Sequence, residues 1–438
     1  MAGSVSVVLV VEAAGEPDDC SDLFLSELTR ELATAQLEVT LIINGDRARF
    51  WRHQASPNFL AAVKQMNIGL AVGNPLSHLA EIGGEEGARL FRHNEHPGFL
   101  DVSRIGGHIP SSLVLPAWAP QPMEVIADWG TRTILVPHGL VESDSRPYFL
   151  AGRLHLASLG PYWMEVSFQS LVDEEGRRGL LGQVTRRAEQ LLSTGGVVVL
   201  RLAANQTSAA LEANHRSAAL GYRQLAETLR SLDGIKVDSV RQAVDRWSDI
   251  SYDLALPTEF FREESRKQTV GELGPIRFEV GYLSPAEQLA ALSRIWLESI
   301  QKGKAVRNTT LRSPLGPRQG SITDLASSVI PAGELEGVLQ AVVQGVDNQN
   351  RLPSFVSVAG GRLSVQDLLA SICSSFSDAD LSQPIEVPVR QGKLPMARVH
   401  RSRWNDSLMP LGINSAKTDA VFAEAEQQVW SLKPALFD

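Results

Sequence analysis

The chain has 438 residues, 43% of them hydrophobic and 21% charged, a globular balance with material for more than one core. Its formal net charge of −9 argues against a nucleic-acid groove or an anionic membrane surface as main partner, since both are held by an excess of lysine and arginine. Two cysteines, Cys20 and Cys373, make neither a disulfide scaffold nor a zinc spacing, and no apolar run approaches the ~20 residues that span a bilayer.

Up to about residue 250, strand and helix patterns alternate, which points to parallel strands with covering helices. No positive region precedes the apolar run at 5–11, so a cytoplasmic location is favoured, with export left open. Residues 4–11 read as a buried strand, and 19–35 as a helix with Leu23, Leu25, Leu28 and Leu32 on its apolar side. Residues 37–43 form a second strand closed by Asn44-Gly45, 57–66 a helix and 67–72 a third strand. The pattern at 81–92 is helical, and Pro97 is expected to end or kink it. Short strands at 113–115 and 133–136 flank a helix over 120–129. A long helix at 174–193 leads through Gly195-Gly196 to a strand ending at 202, then a helix at 215–232 and a strand at 235–237. Residues 245–274 are polar and lack a period, and read as a linker or the outer edge of a first domain.

Further on, residues 278–292 and 358–372 resemble each other. Ser284 and Ser364 stand as N-caps, Glu287 and Asp367 follow three positions later, and Leu289, Ala290 and Leu292 match Leu369, Ala370 and Ile372. A capping serine satisfies free N–H groups and the acid complements the positive helix end, so both segments predict a strand, a turn and a capped helix. The stretch 419–430 is amphipathic, with Val421, Phe422, Ala425 and Val429 at helical spacing.

Chemistry in an open or barrel-like α/β fold sits at strand C-termini. Three such ends stand out: Glu12-Ala13-Ala14-Gly15, Gly73-Asn74-Pro75-Leu76-Ser77-His78 and Ala203-Ala204-Asn205. No G-x-S-x-G elbow, no G-x-x-x-x-G-K-[ST] loop and no G-x-G-x-x-G after the first strand is present, so a hydrolase triad and a nucleotide cradle lack their turns.

The run N-I-G-L-A-V-G-N-P-L-S-H from Asn67, the block P-S-S-L-V-L-P-A-W from Pro110, and a helix followed by a strand ending at Asn44-Gly45 resemble the polysaccharide deacetylase family, the NodB-homology or carbohydrate esterase 4 group. The resemblance covers roughly residues 5–245. It implies an α/β fold, a distorted (β/α) barrel over 1–250, with a smaller α+β domain over 275–438. The latter is similar to small wall-binding repeats of the pseudomurein-binding type. In that family an Asp and two His hold a divalent metal, a second Asp is the base and a late His the acid. The metal polarises the acetyl carbonyl and activates water.

Carried over by position, the paired Asp falls at Ala13-Ala14, or Glu12 takes the metal-binding Asp. The His pair falls at Asn74 and His78, and the late His at Ala203 or Ala204. What is expected to remain is groove: Glu12, Asn74, His78 and Trp118, which could stack on a sugar, while Trp129 packs on the sheet. The expectation is a degenerate member without metal or other cofactor, binding a carbohydrate or another protein. The alternative is an active deacetylase in which Glu12, His78 and a further residue such as His138 hold a divalent metal. His93 and His96 read as solvated at a helix end, and His108 as a loop residue.

Overall fold

The computed structural model describes residues 5–14, 19–72, 84–115, 122–136, 148–150, 154–158, 163–193, 195–204, 209–248, 254–267, 272–278, 281–358, 360–394, 423, 427–434 and 436–437. The first half runs β1 (Val5–Glu12), α1 (Asp19–Ala35), β2 (Thr40–Ile43), α2 (Gly45–Gln54), α3 (Pro57–Val63), β3 (Asn67–Ala71), α4 (Gly84–Gly106), β4 (Ser112–Val114), α5 (Pro122–Trp129) and β5 (Thr133–Val136). It continues with β6 (Tyr148–Leu150), β7 (Leu154–Ser158), β8 (Trp163–Val166), α6 (Phe168–Val172), α7 (Glu174–Leu191), β9 (Gly196–Ala203), α8 (Ala209–Arg230), β10 (Ile235–Asp238) and α9 (Val240–Val244).

These strands build one mixed α/β sheet in the order β6-β7-β5-β4-β3-β2-β1-β9-β8, parallel from β7 through β8 and curled into a half-barrel. One edge of β1 runs along β9 for its full length, while the other is shared: Val5–Val8 pair with β10 and Val10–Glu12 with β2.

The continuous run of apolar residues in β1 follows from burial on both faces. Val5, Val7, Leu9 and Val11 pack toward helices α1, α4, α7 and α8. Val8 and Val10 join Ile42, Ala71, Val114, Leu135, Val197 and Val199 on the inner face, against Val240, Ala243 and Val244 of α9. Ser239 and Gln242 give α9 a capping box, and the Val240 N–H donates to Thr40 Oγ1 at 2.8 Å. This short helix therefore packs on the inner face of the sheet.

Two expectations are corrected here. Helix α4 runs through Pro97 to Gly106, and His93 and His96 lie inside it rather than at an end. Burial of Phe91, Phe99, Val102 and Ile105 along one side offsets the one backbone bond that a proline removes. Nor is 245–274 only a linker. It contains β12 (Ala255–Pro257) and α10 (Thr258–Lys267), whose Phe261 is buried and whose Arg262 donates to the carbonyls of Phe376, Ser377 and Ala379. The charged sequence hid this because α10 carries only two apolar residues, Phe260 and Phe261, among its ten.

Between α9 and β12 lies β11 (Trp247–Ser248). The rest comprises β13 (Ile276–Phe278), β14 (Gly281–Leu283), α11 (Pro285–Lys302), β15 (Asn308–Thr310), β16 (Val329–Ile330), α12 (Ala332–Gln349), β17 (Phe355–Val358), β18 (Gly361–Ser364), α13 (Val365–Phe376), β19 (Val387–Pro388), β20 (Leu432–Pro434) and β21 (Leu436–Phe437). A second apolar cluster gathers α10 through α13, centred on Trp296, Leu339 and Leu369.

Hairpins β13–β14 and β17–β18 share a register, Phe278 opposite Gly281 and Val358 opposite Gly361. Each leads into a helix capped by serine: Ser284 accepts from the Glu287 N–H, and Ser364 from the Asp367 N–H.

The C-terminal residues touch both clusters. Trp430 is buried in the second and Leu432 in the first. β20 pairs antiparallel with β6 at the sheet edge, and β21 with β11. Lys433, 1% exposed, reaches Glu287 at 2.8 Å. Among the described residues no helix is long and apolar enough to cross a membrane.

Candidate functional site

The strand alternation decides which side chains reach the inner face at the C-terminal ends of β1, β8 and β9. Glu12 has the parity of Val8 and Val10, and Arg201 that of Val197 and Val199, so both face inward. Ala14 and Ala203 share the inward parity, whereas Ala13 and Ala204 have the other and pack on the helix side. The latter two hold the sheet together: the Ala13 N–H donates to Ile42 O at 2.8 Å and the Ala204 N–H to Glu12 O at 2.7 Å. Ala14 packs against the inner cluster, and Ala203 is buried.

Glu12 is committed. Arg201 Nε donates to Glu12 Oε2 at 2.5 Å, and Arg201 Nη1 to Glu165 Oε1 at 2.6 Å. Three adjacent strands thus place carboxylate, guanidinium and carboxylate side by side. Glu165 stands opposite Arg201 in the β8–β9 register. Burial works against the charge on Arg201, but the hydrogen bonds and charges of Glu12 and Glu165 outweigh it, and its affinity for the proton is raised. Sequence reasoning missed Arg201 and Glu165. Their signal was in plain view: charged residues inside two strands whose neighbours are apolar, where an unpaired charge is costly.

A divalent cation needs three or four donors around an open position. Among the described residues no group of three His, Cys, Asp or Glu is placed to hold one. The described acids at the inner mouth, Glu12 and Glu165, are bridged by a cation that is part of the chain. Glu12 and Glu165 alone do not supply the donor set of a metal centre. Asn74, His78, Trp118 and His138 lie outside the described residues.

The other expectations are placed as follows. Trp129 is buried in an aromatic stack with Phe91 and Phe99, ring centroids 5.6 and 4.6 Å away, within the core cluster that also holds Leu113 and Ile134 of the sheet. His96 joins that stack, 5.9 Å from Trp129, and is half-buried, which corrects the reading of it as a solvated residue. His108 is exposed, with Nδ1 3.0 Å from Ile109 O.

A concavity lies outside the parallel sheet. A groove of about 840 Å³ runs between residues 319–324 and the β17–β18 hairpin. Ser321, Ser354, Ser357, Gln319 and Asp324 line it, with Phe355 and Ile322, the latter 88% exposed. The Arg362 guanidinium lies over the Phe355 ring at 4.6 Å.

No family model matches the sequence, and no curated protein matches it. Solved structures match it in part. A 4-alpha-glucanotransferase from Thermococcus litoralis is 13% identical, with 68% of this chain and 53% of that chain covered at a TM-score of 0.40. A candidate polysaccharide deacetylase from Mycobacterium smegmatis is 12% identical, with 56% and 90% covered at 0.38. A CE4 family pseudoenzyme from Bacillus anthracis is 10% identical, with 55% and 65% covered at 0.31. The chain spans about half the length of the glucanotransferase (53%). Overlaps of this size leave the reading of the site to its own residues.

Proposed function

We propose that this chain is a polysaccharide deacetylase-like protein that binds or scaffolds rather than hydrolyses, with a carbohydrate as its partner. The Arg201 bridge carries the reading. A carboxylate already paired to a guanidinium at 2.5 Å has an oxygen engaged, and the fixed positive charge repels a second cation placed beside it. Without a metal to lower the pKa of water, the ancestral chemistry has no nucleophile at neutral pH.

The groove at 319–324 supports the binding half of the proposal. Hydroxyls, a carboxamide, a carboxylate and an aromatic ring are the group types that grip a polyhydroxylated ligand. The test is a titration of the full chain with N-acetylglucosamine oligomers, alongside an acetate-release assay with added zinc or cobalt. The proposal expects saturable binding that Phe355→Ala weakens, and no acetate above the protein-free rate. Steady acetate release that Glu12→Gln abolishes would reverse it.

A further inference from the structure

Helices α2 and α4 approach very closely at Gly45 and Gly98, where a Cβ on Gly45 would stand 2.4 Å from the Gly98 Cα. That contact brings Arg49 and Arg52 of α2 onto Asp101 of α4, which Arg104, one turn along α4, also reaches. Arg52 Nη1 donates to Asp101 Oδ1 at 2.7 Å, Arg104 Nη1 to the same oxygen at 3.3 Å, and Arg49 Nε to Asp101 Oδ2 at 3.1 Å. The Asp101 side chain is 7% exposed, whereas those of Arg49, Arg52 and Arg104 are 50%, 36% and 60% exposed. The carboxylate is therefore a buried anchor and the guanidiniums are its solvent-facing rim.

Each guanidinium carries five N–H donors, so the contacts to Asp101, with one from Arg49 to Asp46 at 3.5 Å and one between Arg52 and His53 at 3.2 Å, occupy about a third of them. Three cations on one buried anion leave an excess of two charges, partly offset by Asp46, which is 81% exposed. This stands on a chain whose net charge is −9. An ion pair made only to tie two helices needs one arginine. Three on a common carboxylate, each 36% exposed or more, form a preorganised fork for a planar or tetrahedral oxyanion. The charge excess matches a dianion better than a single carboxylate.

We propose that the Arg49–Arg52–Arg104 rim binds a phosphate monoester, carried either on a small molecule or on a lipid headgroup. Calorimetric titration of the full chain with inorganic phosphate, and flotation with vesicles containing phosphatidic acid against vesicles of phosphatidylcholine alone, separate the two sources. Saturable binding in either arm is expected, falling steeply with added salt.

Arg104→Gln removes the most exposed guanidinium, which makes one bond to Asp101, and leaves the helix pair in place. It should weaken binding by about tenfold, the value of one charge-assisted contact. Asp101→Asn gives a readout of opposite sign: it loosens the helix pair but adds to the positive excess. Phosphate should then bind tighter and raise the melting temperature of this variant more than that of the parent. A rim that only ties helices predicts no phosphate effect on either protein. No saturable binding in both arms, or equal affinity in the parent and Arg104→Gln, would overturn the proposal.

Discussion

Lys433→Met probes the joint between the C-terminal strap and the helical cluster. Lys433 Nζ donates to Glu287 Oε1 at 2.8 Å, and Glu287 Oε2 accepts the Ser284 N–H at 2.7 Å; the two side chains are 1% and 3% exposed. Removing one partner of a buried pair costs about 3–5 kcal/mol, because the other charge is left in a poorly solvated place. Glu287 keeps the Ser284 contact, so the low end applies, about 3 kcal/mol. Glu287→Gln in the Lys433→Met background keeps an acceptor for the cap and removes the orphaned charge, which should recover about 2 kcal/mol. Urea unfolding followed by tryptophan fluorescence gives the double-mutant cycle, and amide exchange in β6 should quicken in the single variant as β20 loosens. A cost below about 1 kcal/mol for Lys433→Met, or additivity of the two changes, would refute the claim that this buried pair fixes the strap.

Three further outcomes follow from packing and titration. Gly69→Ala places a methyl 2.3 Å from Ile42 Cδ1 and 2.4 Å from Ser112 Oγ on the inner face, and should cost about 1–3 kcal/mol by urea midpoint; no loss would mean the interior is looser than described. Burial pushes the Cys373 thiol up to about 12, against a smaller opposing effect of Ser265, so peptide mapping after thiol labelling at pH 8 should find Cys373 unmodified until the chain is unfolded. Burial also raises the Asp238 carboxyl above 3.8, an effect that Arg246 and Ser6 only partly reverse. The folded state then binds that proton more tightly than the unfolded one, so ionised Asp238 costs stability at neutral pH and the cost fades as pH falls toward 3.8. Asp238→Asn should stabilise at pH 7 and lose its advantage near pH 4; a variant less stable than the parent at pH 7 would show that the Arg246 contact dominates.

The elements with a strong local signal were legible. The helix over 19–35 and the strand over 133–136 match their sequence bounds to the residue, although Leu23, read on the apolar side of the helix, is 55% exposed and Phe24 is buried in its place beside Leu25, Leu28 and Leu32. The two capped hairpin–helix segments were readable from Ser284 and Ser364 because cap chemistry is local. Helix α2 was missed because Asp46-Arg47-Ala48-Arg49 shows charge rather than a stripe. Its buried face includes Arg47, which reaches Asp22 at 3.3 Å, a partner 25 positions away that no local pattern shows.

The candidate site was legible in part. Glu12 was found from its place at a strand end, but its partner Arg201 lies 189 positions away and is set beside it only by the pairing of β1 with β9. Of the alternatives read at these strand ends, Ala14 and Ala203 have the inward parity and Ala13 and Ala204 do not, since a one-residue shift along a strand turns a side chain to the opposite face.

The most direct measurement is metal content. The full chain, and Glu12→Gln beside it, are equilibrated with micromolar zinc, cobalt or nickel, dialysed and analysed by mass spectrometry for bound metal. Well below one ion per chain, with no difference between the two proteins, is the expected result. One ion per chain in the parent, lost in Glu12→Gln, would contradict it.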